Sequence, residues 1–140
     1  MEVWNSNHRQ RINFETKDMK TLNQLRDEIH ENAKNKGFWD KERETGTLLM
    51  LCVSELAEAM EADRNVLYAD LELIEKDKEN FIDFKWSFEN SIKDTFEDEL
   101  ADTIIRILDL CGAKGIDIEK HIELKMKYNA TRERMHGKKY

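Results

Sequence analysis

Apolar residues recur along this chain at three- and four-residue steps, the period of a helix with one buried face. Leu22, Leu25, Ile29 and Ala33 form the first such run, and Gly37 stands where that helix would end. Leu48, Leu49, Cys52, Val53, Leu56, Ala59 and Met60 form one broad arc that predicts a second helix over Thr45–Arg64. Ile92, Phe96, Leu100, Ile104, Ile107 and Cys111 predict a third from about Ser91 to Gly112, closed by Gly112 and Gly115. A fourth is expected from Asp117, as N-cap, to about Met135, with Ile118, Ile122, Met126 and Ala130 as its stripe. Between the second and third runs, Val66, Leu67, Leu71 and Ile74 fit a short helix while Phe81–Phe88 alternates without a settled period, so residues 65–95 read as a partly helical insertion. Residues 1–16 show no sustained period and read as an irregular lead-in. The pattern predicts an all-α single domain over 1–140, a bundle of four to five helices.

Composition sharpens this picture. The chain has no proline and five glycines in 140 residues. That scarcity of turn residues argues against a sandwich or barrel and leaves no Gly-rich phosphate loop. A hydrophobic content of 39% makes a thin core for so small a domain, so buried surface shared between copies is expected. Cys52 and Cys111 fall inside apolar helical runs and read as reduced core thiols. No basic-then-apolar leader opens the chain and no apolar run reaches the roughly 20 residues of a membrane span, so a cytoplasmic protein with no membrane partner is expected. The net charge of −7 disfavours a nucleic-acid polymer as partner. Charge is nonetheless divided: residues 120–140, the basic helix and tail, hold seven Lys or Arg against two Glu, so the remainder is more acidic than the total.

The candidate chemistry lies in four carboxylates. On a helical projection of about 100° per residue, Glu55 falls within about 40° of Leu48, Leu51, Ala59 and Ala62, and Glu58 about 60° to one side. Glu99 repeats the layout: Ile92, Leu110, Thr103 and Arg106 lie within about 40°, and Asp102 about 60° to the side. Each helix thus carries an acidic pair one turn apart at the margin of its core-facing arc. Packed side by side, the pairs converge, and converging carboxylates in a partly dry groove need protons or cations to neutralise them. Oxygen-only donors suit Mg²⁺, or Mn²⁺, rather than zinc. Beside such a cluster, a basic tail fits a polyphosphate ligand.

At these residues the chain resembles the MazG-like all-α nucleoside triphosphate pyrophosphohydrolase superfamily, which includes the dimeric dUTPases. The likeness rests on an E-x-x-E (Glu55, Glu58), an E-x-x-D on a later helix (Glu99, Asp102), a K-x-x-x-N-x-x-R segment (Lys125, Asn129, Arg132) and the closing His136-Gly-Lys-Lys139, in that order over residues 20–140. The 40 residues between Glu58 and Glu99 exceed the spacing of compact members, which marks 65–95 as inserted. The resemblance implies hydrolysis of a nucleoside triphosphate between the α and β phosphates, giving a monophosphate and pyrophosphate, with Mg²⁺ held by the four carboxylates. It also implies that Lys125, Asn129 and Arg132, placed on one face of the fourth helix, contact phosphate and sugar, and that the chain assembles as a homodimer or homotetramer. Glu55, set among apolar groups, is the favoured general base, with Glu58 the alternative.

Weaker candidates surround these. Trp39 and Phe38 offer a face for a nucleobase, or a cap on the core. Arg106 is placed to pair with Asp102 or Asp109 or to serve structure alone, and Trp86 and Phe88 to line a base pocket or a subunit contact. None of His8, His30, His121 and His136 has ligand spacing with the cysteines. The competing reading is a helical regulatory module that binds a nucleotide or partner without turning it over.

Overall fold

The computed structural model describes residues 19–137. The expected lead-in therefore lies outside the described residues, as do the last three residues of the basic tail. The described residues form six α-helices and no strand: α1 (Leu22–Asn35), α2 (Thr45–Arg64), α3 (Leu71–Glu79), α4 (Phe84–Ser91), α5 (Phe96–Ala113) and α6 (Ile118–Ala130). A 3-10 turn follows at Arg134–Gly137. None of these helices is long and apolar enough to cross a membrane.

Five of the six starts are set by a side chain that accepts from a free first-turn amide. Thr21 caps α1 in a reciprocal box with Gln24, and Asp70, Asp83, Thr95 and Asp117 cap α3, α4, α5 and α6. Each cap contributes about 1 kcal/mol, which lets short helices begin without proline. Two of the boundaries differ from the apolar period. The third run spans two elements, because α4 ends at Ser91, Asp94 takes a left-handed φ of 61°, and Thr95 restarts the chain as α5. Ile92 stays buried across that break, so its periodicity gives no sign of it. The last helix ends at Ala130 instead of Met135, where the Thr131 hydroxyl donates to the Tyr128 carbonyl at 2.7 Å and competes with continued helix.

The body is built from α2 packed on α5, α1 against α5, and α6 touching α1, while α3 and α4 pack on each other. Backbone bonds stitch the two ends of the insertion: Phe96 N–H donates to the Leu67 carbonyl at 2.9 Å and Asp70 N–H to the Ser91 carbonyl at 3.0 Å. Gly112 allows the close approach of α1 and α5, since a Cβ there would meet the His30 Cβ at 2.5 Å. The core is small. It comprises Leu48, Cys52, Ala59, Ala62, Ile92, Leu108 and Cys111, and both cysteines are free thiols within it.

The broad apolar arc of α2 divides in two. Leu48, Cys52, Glu55, Ala59 and Ala62 are buried, whereas Leu49, Val53, Leu56 and Met60 are half exposed. On α5 the buried stripe is Glu99, Thr103, Leu108 and Cys111, while Leu100, Ile104 and Ile107 face outward. Glu55 and Glu99 therefore sit in the middle of the buried stripes, not at their margin. The small residues beside them permit close helix packing, and it is this stripe, not the bulkier one, that meets the neighbouring helix.

Candidate metal centre

Glu55 projects from α2 and Glu99 and Asp102 from α5, the two helices that pack most closely. Each offers one carboxylate oxygen, and the three oxygens lie within 4.8 Å of one another. Glu55 and Glu99 are each 5% exposed. Burial pushes the Glu99 carboxyl up to about 7, reinforced by the hydrogen bond that protonated Glu99 donates to the Glu55 carboxylate and by the charges of Glu58, Glu55 and Asp102. Burial also raises Asp102, together with the charges of Asp98 and Glu55, against the pull of Arg106. The site holds more negative charge than it can keep ionised alone. Three hard oxygen donors this close, one of them half-protonated near neutral pH, fit a Mg²⁺ or Mn²⁺ ion.

Of the four expected ligands, the structure brings these three together. Glu58 is exposed, lies outside the group, and makes no hydrogen bond or ion pair to the described residues, yet it is near enough to raise Glu99. Arg106 pairs with Glu55, not with Asp102 or Asp109: its Nε and Nη2 each lie 2.5 Å from Glu55 Oε1. Its position seven residues past Glu99 explains this, since that spacing puts it on the face of α5 that meets α2.

A cavity of about 310 Å³ opens beside the acidic group. Asp102 and Arg106 line it, with Asp109 and the apolar Ile29, Phe38 and Ile105. Phe38, 61% exposed, is the aromatic that faces this space. Trp39 stands behind it: the indole N–H donates to Asp109 at 2.9 Å, the ring meets His30 edge-on at 5.2 Å, and Arg43 lies 6.0 Å from its centroid. His30 Nδ1 lies 2.7 Å from the same Asp109 oxygen. Asp109 thus ties α5 to α1 and to the loop after it. Sequence reasoning missed this role, although Asp109 follows Asp102 by seven residues and so shares its face.

Lys125, Asn129 and Arg132 are exposed and do not line the cavity. Because α6 ends at Ala130, only Lys125 and Asn129 share a helical face. Arg132 lies just beyond, and Lys125 and Arg132 flank the Tyr128 ring at 5.2 and 5.7 Å. In α4, Trp86 is half exposed and Phe88 packs at 5.9 Å on Phe84, away from the cavity lining. No family model matches the chain, and no curated protein or solved structure compared with it does so either.

Proposed function

We propose that this chain is a divalent-cation-dependent nucleoside triphosphate pyrophosphohydrolase of the MazG-like, all-α type, which cleaves between the α and β phosphates to a monophosphate and pyrophosphate. The observation that carries this reading is the convergence of Glu55, Glu99 and Asp102 oxygens within 4.8 Å, with Glu55 and Glu99 buried, next to a cavity of about 310 Å³. Such a volume suits a small ligand. A bound Mg²⁺ supplies charge neutralisation for the phosphates and acidifies a water.

The protein's own groups divide the remaining work. Glu55, Glu99 and Asp102 hold the cation. Phe38 and Ile105 give the cavity apolar walls for a nucleobase, against a floor of Asp109 fixed by Trp39 and His30. Glu58, one turn from Glu55 and without a partner of its own among the described residues, takes the proton from the attacking water in preference to Glu55, which Arg106 already engages. Lys125, Asn129 and Arg132 are assigned to phosphate and sugar by the motif they form. The working assembly is a homodimer or homotetramer.

The test is release of pyrophosphate from a panel of ribo- and deoxyribonucleoside triphosphates with Mg²⁺ or Mn²⁺. Glu58→Gln is expected to lower kcat by about a hundredfold or more with KM little changed. Absence of cleavage of every triphosphate under both cations rules the reading out.

A further inference from the structure

We propose that Arg106 is the resident counter-ion of the cation-free acidic group and that it trades Glu55 for a substrate phosphate when a divalent cation binds. The inference rests on the function proposed above and deepens it.

Glu55 has a side chain 7% exposed, and a carboxylate so deeply placed is costly without a partner. Two guanidinium nitrogens, Nε and Nη2, supply one by converging on a single oxygen, Oε1. This end-on grip leaves the remaining guanidinium donors uncommitted to Glu55. Arg106 is also 39% exposed and lines the cavity beside Asp102, so the same group touches both the acidic site and the space in which a ligand would sit.

A dication placed among Glu55, Glu99 and Asp102 competes for the charge of the same Glu55 carboxylate that Arg106 holds, and repels the guanidinium at close range. Once Glu55 is neutralised by the ion, Arg106 loses its reason to stay. A phosphate entering the cavity offers two oxygens that the planar guanidinium fork can engage together. Cation and anion binding are therefore positively linked through one side chain, and linkage is reciprocal. Release of Arg106 also raises the positive potential of the cavity only after the cation is in place, so a bare triphosphate is bound poorly.

Two measurements test this without relying on turnover. In calorimetric titrations with Mn²⁺ alone, Arg106→Gln is expected to bind the ion about tenfold tighter than wild type, because the competing cation is gone. At saturating Mn²⁺, the same variant is expected to bind an α,β-imido triphosphate about tenfold more weakly. In the wild-type protein, the arginine Nε–H resonance of Arg106, identified by its loss in Arg106→Gln, is expected to broaden into solvent exchange on adding Mg²⁺ and to return at a new shift with the imido triphosphate. Folded Arg106→Gln with unchanged or weaker Mn²⁺ affinity overturns the proposal, as does an Nε–H signal unmoved by saturating Mg²⁺. If Arg106→Gln does not fold, the wild-type spectrum decides through an Arg106→Lys assignment. Should wild type bind no Mn²⁺ saturably, the metal reading falls and this one with it. Saturable binding that Glu99→Gln abolishes, with Arg106 indifferent to the ion, removes this inference alone.

Discussion

Among the described residues, Glu99 is the carboxyl whose charge is most strongly disfavoured. Its carboxyl is pushed up to about 7 from an ordinary 4.5, chiefly by burial and then by Glu55 and the other acids around it. Between those values the folded, ion-free chain keeps a proton that the unfolded chain has released. The contribution of this group to stability is thus fully present below pH 4.5 and is lost as pH rises towards 7. Relative to Glu99→Gln, ion-free wild type is expected to lose about 3 kcal/mol between about pH 5 and pH 8, measured by urea unfolding in chelator. Saturating Mg²⁺ is expected to restore wild type at high pH, because the ion takes the place of the proton, and to leave Glu99→Gln, which lacks the ligand, little changed. Parallel stability curves for the two proteins in chelator would show that Glu99 ionises freely. The same residue shows what the sequence could reveal of the site. The apolar angular neighbours of Glu55 mark that residue as misplaced for a charge, and Glu99 follows as its partner from the repeated acidic layout. Arg106 as the neutralising group does not follow, since spacing puts it on the right face without saying which of several nearby acids it meets.

At the scale of elements, α2 is legible in the sequence to its ends, Thr45 and Arg64, because a long unbroken period carries it. The α4–α5 boundary is hidden, since Ile92 and Phe96 keep the period across a left-handed turn at Asp94. Turn chemistry there overrides the apolar pattern. The end of α2 is unusual in a second way. Val66 follows the C-cap at φ 57°, where its amide donates to the Asp63 carbonyl at 3.0 Å and the Leu67 amide to the Ala62 carbonyl at 2.9 Å. A glycine normally takes this position, and a β-branched side chain there costs about 1–2 kcal/mol. Val66 is 72% exposed, so it recovers little of that by packing. Val66→Gly is expected to stabilise the protein by about 1 kcal/mol after the entropy of glycine is counted, raising Tm by about 3 °C in a thermal melt. A drop in Tm would mean that Val66 packs on something beyond this chain.

For the whole molecule, the division of the apolar arcs is the decisive feature. Leu49, Val53, Leu56 and Met60 follow one another by three or four residues along α2, and Leu100, Ile104 and Ile107 do so along α5, all at the surface. No large side chain is fully buried anywhere among the described residues. The sequence shows these residues as core because periodicity identifies an apolar face but not what covers it. Two such stripes on adjacent helices leave an apolar surface of the kind that marks a partner contact. A second copy turned by a two-fold axis can cover it with the same residues, giving helices from two chains one shared core. The stripe with Glu55 and Glu99 faces the interior of each chain, so pairing leaves the acidic groups within their own subunits. Light scattering is expected to return twice or four times the 16.7 kDa of one chain. Val53→Lys together with Ile104→Lys places charge at the centre of the patch without touching Glu55, Glu99 or Asp102. That pair is expected to shift the mass towards a single chain and make Tm fall, with the loss growing as the protein is diluted for any variant that still associates weakly. A wild-type mass of one chain at every concentration contradicts the shared core and leaves the exposed stripes of α2 and α5 to a different partner.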